Sequence, residues 1–271
     1  MMSENLPANV VRFSGFADTY DQYRPSPPAV MVDVLTQLAR VSRAGLVVDI
    51  GSGTGLSTRI WSGRAERIVG IEPNPDMRRQ AQVEAQKLGL VGIVNLEGTS
   101  TRTGLADCTA DVVTCVQSLH WMEPEPTFAE IARILRPGGI FAACDCDWPP
   151  TMNWEAEAAY SAFMSAAHEM EIRLGVSVGV EHCRKEQHLE RIKASGHFRF
   201  AKEITFHQVE SGNAQRLVGL AKSQGGVATL TKHGLTQQEI GLTKLQDAAV
   251  RTLGSEPSPW YFSYRVRIGI K

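Results

Sequence analysis

Short apolar runs alternate with segments of helical periodicity along the first half of the chain. Apolar runs of four to seven residues are typical of parallel strands that are buried on both faces. Five such runs are predicted strands, at residues 46–50, 67–71, 92–97, 111–116 and 140–144. Helices are predicted ahead of the first strand, from residue 29, and between later strands at residues 76–88 and 125–135. This alternation predicts an α/β fold with a mostly parallel sheet.

The pattern changes after residue 147. Helical segments at residues 154–174 and 181–195 are interpreted as a helical cap, inserted at residues 148–195 between the fifth and sixth strands. The remaining patterns are strands at 198–207 and 261–270 and helices at 213–223 and 236–253. The sixth and seventh strands are expected to form the antiparallel end of a seven-stranded sheet that carries helices on both faces.

Residues 1–271 are interpreted as one domain, because the sequence contains no internal repeat or low-complexity tract. Residues 1–11 are expected to be frayed. Residues 12–28 lie outside the strand–helix repeat and are rich in aromatic residues and proline, so they are expected to be poor as a helix. We interpret them as a lid over the carboxyl edge of the sheet.

The most informative segment is residues 47–58, where the first predicted strand ends in a glycine-rich loop. Gly51, Gly53 and Gly55 alternate with small residues, and glycine lets the backbone adopt positive φ and approach a ligand closely. The helix that follows begins with unpaired N–H groups. A dinucleotide loop requires Gly-x-Gly-x-x-Gly, but its third glycine would fall on Leu56 or Thr58. The loop therefore predicts a nucleotide-type site, without the dinucleotide pattern, at the carboxyl end of the first strand.

Several motifs resemble those of class I S-adenosylmethionine (SAM)-dependent methyltransferases, and more narrowly those of the methyltransferase type 11 group. The Asp-x-Gly-x-Gly-x-Gly sequence that starts at Asp49 is similar to their first motif, and the second strand ends at the acid Glu72. Tyr20 begins a Tyr-Asp-x-Tyr-Arg-Pro segment, and Gln117 begins Gln-Ser-Leu-His-Trp, which precedes a helix and Leu-Arg-Pro-Gly-Gly. The resemblance covers residues 20–147. It implies a Rossmann-like domain that binds SAM and releases S-adenosylhomocysteine (SAH).

The resemblance also implies which residues hold the cofactor. Glu72 is expected to accept hydrogen bonds from both ribose hydroxyls, and Met77 is expected to touch the adenine. Relatives usually have an acid near Thr101 that contacts the adenine amino group, whereas this chain offers only hydroxyls there. The expected cofactor-binding residues are Asp49, Gly51, Ser52, Gly53, Gly55, Glu72, Pro73, Met77, Thr99, Ser100, Thr101 and Gln117.

The candidates for the acceptor side follow from position at the carboxyl edge of the sheet. Methyl transfer needs alignment of donor and acceptor, and it needs a base only when the acceptor must lose a proton. His120 follows the fourth strand and is the first candidate, although packing against its aromatic neighbour is an equal alternative. Tyr20 and Tyr23 are expected to close over the methyl donor or, alternatively, to pack on the sheet edge. Asp145 and Asp147 are second choices that could instead cap the next helix.

No metal is expected. His182, Cys183 and His188 are close in sequence, but their spacing matches no zinc template. The segment that contains them has the pattern of a surface helix.

Composition narrows the classes of partner. The net charge is −1 and no basic run occurs, which argues against binding to nucleic acid. The chain has no signal-peptide pattern and no run near eighteen apolar residues, which argues against a membrane. The five cysteines form no paired framework and indicate a cytoplasmic location. A small-molecule acceptor is expected; its reacting atom and the oligomeric state stay open. The alternatives are a non-catalytic SAM-binding protein and, less favoured, a nicotinamide-dependent oxidoreductase.

Overall fold

The computed structural model describes residues 7–271, which form one seven-stranded sheet in the order β3-β2-β1-β4-β5-β7-β6. Its strands are β1 Ala44–Ile50, β2 Ala65–Ile71, β3 Ile93–Leu96, β4 Ala110–Val116, β5 Leu135–Cys146, β6 Phe200–Gly212 and β7 Ser258–Ile270. The pairs β1/β2, β1/β4, β2/β3 and β4/β5 are parallel, and β7 is antiparallel to both β5 and β6. The predicted mostly parallel sheet is confirmed. Strands β6 and β7 pair antiparallel as expected, but only β7 runs against the rest of the sheet.

Twelve α-helices surround the sheet in residues 7–271. They are α1 Pro7–Arg12, α2 Ala17–Tyr23, α3 Val30–Leu38, α4 Leu56–Arg59, α5 Pro75–Lys87, α6 Pro124–Ile134, α7 Trp154–Leu174, α8 His188–Ala194, α9 Ala214–Lys222, α10 Gly225–Lys232, α11 Gln237–Ile240 and α12 Leu242–Leu253. Short 3-10 helices follow β4, at Leu119–Trp121, and precede α8, at Lys185–Gln187. None of these helices combines the length and apolar character that crossing a bilayer requires.

The sheet separates two hydrophobic cores. Successive residues of a strand point to opposite faces, so Val47 in β1 packs with Met31 and Trp61 on one face. Its neighbour Val48 packs on the other face with Phe128 of α6. Because both faces are covered, β1 and β4 are buried along almost their whole length, which explains their continuous apolar sequence.

Several helices begin or end at residues other than those predicted, because of local contacts and backbone conformation. Helix α5 is capped by Asn74, whose side chain accepts hydrogen bonds from the backbone N–H groups of Asp76 and Met77, so the helix begins at Pro75, one residue before the predicted start. Asn74 precedes a proline at the first helical position, and the chain enters the helix there. The predicted helix at 236–253 is divided into α11 and α12 at Gly241, which has φ +85°.

Two segments outside the sheet also differ from expectation. Residues 12–28 contain α2, and α1 begins before them, so this part of the chain is more helical than its proline content suggested. The helix expected at 181–195 begins only at His188. Residues 185–187 before it form a 3-10 helix, and residues 181–184 are neither helix nor strand. There the N–H of Cys183 donates to the carbonyl of His120 and the Asn9 amide donates to the carbonyl of Glu181. Residues 1–6, part of the expected frayed end, lie outside the described residues.

Candidate functional site

The glycine loop lies at the carboxyl end of β1, between β2 and β4. Gly51, Gly53 and Gly55 all have positive φ, from +56° to +83°, a range that residues other than glycine rarely adopt. A Cβ on Gly51 would lie 2.6 Å from the Cβ of Ser118, whereas a Cβ on Gly53 would meet no atom within 4 Å. Gly51 therefore allows close packing on the segment after β4, and Gly53 leaves an open cradle.

Glu72, at the end of β2, faces this loop. One carboxylate oxygen accepts the N–H of Gly53 at 3.0 Å and the other accepts the N–H of Asn74 at 2.8 Å. The residue is only 8% exposed, and burial raises the pKa of Glu72 to about 6 although both N–H donors oppose the shift. An ionised carboxylate has about four acceptor positions, so two remain for a ligand.

The loop and Glu72 border a cavity of about 1070 Å³, hereafter the first cavity. Its other walls come from the segments after β4 and β5 and from residues 9–27 near the N-terminus. The predicted residues that line it are Gly51, Ser52, Gly53, Glu72, Pro73, Met77, Ser100, Gln117 and Tyr20. The structure thus brings together most of the residues that the sequence assigned to a cofactor.

Asp49 and Gly55 do not line the first cavity. Asp49 is fully buried beneath the loop, where its carboxylate accepts hydrogen bonds from the hydroxyls of Ser57, Thr58 and Thr114 at 2.5–2.8 Å. Burial raises the pKa of Asp49, while the three hydroxyl donors oppose the shift. Gly55 caps α4, and a Cβ there would approach that of Ala81. These two residues support the loop from behind.

Thr99, Thr101 and Tyr23 are also not placed on the first cavity. The hydroxyls of Thr99 and Thr101 lie 3.2 Å from each other in a tight turn, and only Ser100 between them reaches the cavity wall. Tyr23 lies outside because its ring packs against Gly219 of α9, where any Cβ would overlap the ring at 2.2 Å. Tyr20, one helical turn earlier, faces the cavity instead.

A second cavity of about 900 Å³ adjoins the first. Six residues line both cavities: Phe13, Tyr20, Arg24, Gln117, Trp121 and Trp148. His120 lines only the second. Further walls come from α7, which lies in the segment interpreted from the sequence as the cap, and from residues 224–227 at the start of α10, which sequence reasoning had not assigned to a site. These segments are far apart in the chain, and no local pattern marks them as neighbours of His120.

Gln117 forms the partition between the cavities in a strained conformation. Its φ is +54°, which is uncommon for a residue other than glycine and is frequent at functional sites. Its side-chain carbonyl accepts a hydrogen bond from Lys185 at 2.9 Å. Its amide nitrogen is buried and has no hydrogen-bond partner in the described part of the chain. That orphaned donor is available to a ligand.

His120 belongs to a buried cluster with Asp145 and His188. Nδ1 of His120 lies 3.7 Å from one oxygen of Asp145, and Nε2 of His188 lies 3.8 Å from the other. Burial, reinforced by nearby positive groups, lowers the pKa of His120 well below its usual value, and burial lowers that of His188 to about 4. Both imidazoles are therefore neutral at pH 7. The two contacts with Asp145 are longer than hydrogen bonds, and Nδ1 of His120 and Nε2 of His188 have no hydrogen-bond partner among the described residues.

The same three residues are of types that bind metal ions, and their ligand atoms lie within 4.8 Å of one another. Asp145, however, already pairs with Arg267 at 2.8 Å and Lys185 at 3.1 Å. Two positive charges on one carboxylate oppose a third cation, so we interpret the group as a charged cluster centred on Asp145.

Three further candidates from the sequence make other contacts; they are His182, Cys183 and Asp147. The ring of His182 lies against Trp121 with centroids 5.7 Å apart, and the thiol of Cys183 faces the carbonyl of Met122. Asp147 pairs with Arg265 on the exposed side of the sheet, away from both cavities.

Comparisons with known proteins agree with this geometry. A family model described as a methyltransferase domain matches residues 48–143. An uncharacterized methyltransferase of Mycobacterium tuberculosis is 35% identical over 128 residues, which are 47% of this chain and 49% of that protein. A probable S-adenosylmethionine-dependent methyltransferase of Saccharomyces cerevisiae is 29% identical over 45% of this chain and 43% of its own length. The chain thus spans about half the length of the curated relatives it matches.

The fold is similar to solved structures along most of the chain. A putative type II methyltransferase from Anaeromyxobacter dehalogenans has a TM-score of 0.64 at 20% identity, and the match covers 92% of this chain and 98% of that one. At this level of identity the likeness concerns the fold alone. It extends beyond residue 143, so the region of α7 to β7 belongs to the same architecture.

Proposed function

We propose that this chain, which carries a class I SAM-dependent methyltransferase domain, transfers the methyl group of SAM to a small-molecule acceptor. The observation that carries the proposal is the shared wall: the first cavity contains the glycine loop and Glu72, and it meets a second cavity at Gln117 and Tyr20. Two adjoining cavities with one common partition suit a transfer between two bound molecules.

The first cavity fits SAM in three respects. Gly53 leaves a cradle that any side chain would fill, Glu72 keeps acceptor positions for ribose hydroxyls, and Met77 offers an apolar surface to the adenine. When bound, SAM supplies an electrophilic methyl group on its sulfonium sulfur, and the thioether SAH is the leaving group. The role of the chain is then to hold donor and acceptor in line and to exclude water.

The second cavity is proposed as the acceptor site, and His120 as the group that removes a proton from the acceptor when one must leave. His120 lines this cavity and is neutral at pH 7, and Asp145 lies 3.7 Å from its Nδ1, so Nε2 is proposed as the basic atom. Proton transfer thus requires only that the acceptor hydroxyl or ammonium lie within hydrogen-bond reach of Nε2.

The walls that close the two cavities come from outside the central sheet. Residues 9–27 contribute to the first cavity and α7 to the second, which supports the lid and part of the cap proposed at residues 12–28 and 148–195. Helix α10 adds a wall beyond the proposed cap. The five cysteines are free thiols, four of them buried, which supports the proposed cytoplasmic location.

Cofactor binding is tested first, and methyl transfer second. Calorimetric titration is expected to show binding of SAH and no binding of NAD, because the loop lacks the dinucleotide spacing. Transfer of labelled methyl from SAM is then assayed against small alcohols, amines, thiols and activated-carbon acceptors. Binding of NAD in place of SAH would refute the cofactor assignment. Binding of SAH with no transfer to any class would favour the non-catalytic alternative.

Paired glycine substitutions test the cradle. Gly53→Ala is expected to weaken SAH binding by at least about tenfold, because the added methyl group occupies the open space, at a stability cost of about 1–2 kcal/mol from the positive φ. Gly51→Ala is expected to destabilise the fold by about 2–4 kcal/mol, because strain and overlap with Ser118 add together. Calorimetry and thermal unfolding separate the two effects. Unchanged SAH affinity in Gly53→Ala would place the ligand elsewhere.

A further inference from the structure

Gln117 combines two unfavourable features at the wall that the cavities share. Its φ is +54° although it is not glycine, and its backbone N–H is fixed by donating to the carbonyl of Cys144 at 2.8 Å. Its side-chain amide nitrogen is buried and has no hydrogen-bond partner among the described residues. Backbone strain and an unsatisfied donor each cost stability. Their coincidence at one residue of this wall indicates that the residue serves a ligand.

Lys185 determines which end of the Gln117 amide is left without a partner. Its ammonium group lies 2.9 Å from the side-chain oxygen of Gln117 and 3.1 Å from an oxygen of Asp145. An ammonium group only donates hydrogen bonds, so it must face the amide oxygen and not the amide nitrogen. Asp145 is in turn held by Arg267 at 2.8 Å. The amide nitrogen of Gln117 is therefore a donor whose orientation is set before any ligand binds.

This donor lies where methyl transfer has to occur. Gln117 lines both cavities, and four of the other five residues that do so are aromatic. His120, three residues later in the same segment, lines the second cavity. The methyl group passes from one cavity to the other, so the reacting atom of the acceptor must come to the shared wall. The Gln117 amide is thus close to the position of that atom.

A donor at this position discriminates between reacting atoms by their lone pairs. The reacting atom needs one lone pair to attack the methyl carbon and a second to accept the hydrogen bond from Gln117. The oxygen of a hydroxyl or a carboxylate has two lone pairs, whereas the nitrogen of a neutral amine has one. A thiol sulfur is only a weak acceptor, and a carbon nucleophile has no second lone pair. An oxygen atom therefore fits this wall best.

We propose that the acceptor reacts through an oxygen atom that the amide nitrogen of Gln117 binds while Lys185 holds the amide, an assignment that rests on the proposed function and names its reacting atom. A carboxylate and a hydroxyl group can both present this oxygen. In either case the O–C bond to the methyl group forms as the C–S bond breaks, and the electron pair of the broken bond leaves with SAH. A carboxylate yields a neutral ester directly, whereas a hydroxyl group also releases a proton, which His120 accepts.

Matched acceptors test which atom reacts. Hexyl, phenyl and naphthyl skeletons are each supplied as the carboxylate, the hydroxyl compound, the amine and the thiol, and transfer of labelled methyl from SAM is measured for each. We expect an oxygen acceptor to react at least about tenfold faster than the amine or thiol of the same skeleton. Mild alkali then identifies the source of the oxygen, because it releases methanol from a methyl ester and leaves a methyl ether intact.

Two substitutions at Gln117 separate the donor from the packing. Gln117→Glu keeps the size of the side chain and its contact with Lys185 but removes the N–H donor, and Gln117→Leu removes both. Each is expected to lower transfer about 10–100-fold for a carboxylate and about 2–10-fold for a hydroxyl group. Calorimetry provides a second measurement without turnover. Hexanoate, benzoate and 1-naphthoate, or the matching hydroxyl compounds, should bind the SAH-saturated variants more weakly than the SAH-saturated wild type, while SAH affinity is unchanged.

Lys185 is tested as a positioning residue. Lys185→Met is expected to lower transfer in the same sense as Gln117→Leu, and Lys185→Arg is expected to restore part of it, because arginine can also donate to the amide oxygen. Lys193→Met is the matched control, since Lys193 is an exposed lysine that pairs with Glu190 and lines neither cavity. Thermal unfolding of every variant distinguishes a loss of transfer from a loss of the fold.

Three results would refute the assignment and leave the proposed function standing. They are transfer mainly to an amine, a thiol or an activated-carbon acceptor, equal transfer by Gln117→Glu and the wild type, and weaker SAH binding by Gln117→Glu without weaker acceptor binding. The last result would assign the amide to the cofactor. If SAH binds but no acceptor of any class is methylated, the assignment fails together with the proposed function.

Discussion

Replacing His120 by Asn is expected to lower the rate of methyl transfer about 10²–10⁴-fold for an acceptor that must lose a proton. The physical reason is that the neutral imidazole of His120 lines the second cavity, with Asp145 3.7 Å from its Nδ1. Asn retains polarity and approximate size but has no basic nitrogen. Single-turnover transfer is the appropriate measurement, because slow product release would hide a change in the chemical step.

His168→Asn is the matched control, since His168 lines the same cavity from α7 but lies outside the cluster with Asp145. It is expected to change the Michaelis constant more than the rate of transfer. In the wild type the rate is expected to stay constant down to well below pH 6.5, because burial lowers the pKa of His120 and keeps it neutral. If His120→Asn transfers the methyl group at a rate within about threefold of wild type, His120 is not a general base, and proximity is the mechanism.

Glu72→Ala is expected to weaken SAH binding about 10–100-fold, since a charged acceptor of ribose hydroxyls is removed. The substitution also leaves the N–H groups of Gly53 and Asn74 without their acceptor, so an indirect effect on the loop must be separated from the direct one. The 2′-deoxy analogue of SAH makes this separation. The wild type should bind the analogue more weakly than SAH, and Glu72→Ala should bind the two alike. Glu97→Ala, at an exposed acid that pairs with Arg78, is the control.

The pH dependence of binding provides an independent check. Burial raises the pKa of Glu72 to about 6, and ribose hydroxyls donate better to the ionised form, so SAH affinity is expected to rise between pH 5 and pH 7.5. Stability responds in the opposite sense. The folded state holds the proton more tightly than the unfolded state, so the contribution of Glu72 to stability is greatest below pH 4.5 and is lost as the pH rises through 6. In the binding experiment, if wild type and Glu72→Ala both bind the 2′-deoxy analogue more weakly than SAH by the same factor, the ribose does not contact Glu72.

The sequence identified those parts of the site that depend on position at the end of a strand. Apolar runs predicted the strands, and parallel strands deliver their carboxyl ends to a common edge, so the loop after β1 and Glu72 after β2 could be placed at one edge from the sequence, while Gln117 after β4 was implied by the family resemblance. Asp49 was expected at the cofactor, and its role there stays a prediction. It lies within the motif, but it is turned into the core, where hydroxyls of α4 and β4 satisfy it.

The second cavity could not be predicted in the same way. Arg12, Glu171 and Gln224 meet there from three helices that are separated by tens to more than a hundred positions in the chain. Periodicity tells which face of a helix is buried but not which helix it meets. Tyr20 and Tyr23 illustrate the limit, because two tyrosines of one motif were assigned one role, and packing against Gly219 sends the second to a different surface.

The position of β7 has a consequence for the order in which the protein is completed during synthesis. Strand β6 contacts the rest of the sheet through β7, which is made later and is inserted between β5 and β6. A nascent chain that has emerged only as far as α12 therefore carries two unpaired strand edges, which are prone to pairing with other chains. The same chain lacks Arg267, the closest counter-ion of Asp145. The pair between Asp145 and Arg267 thus forms only when β7 is inserted, so the insertion that closes the sheet also completes the charges around His120.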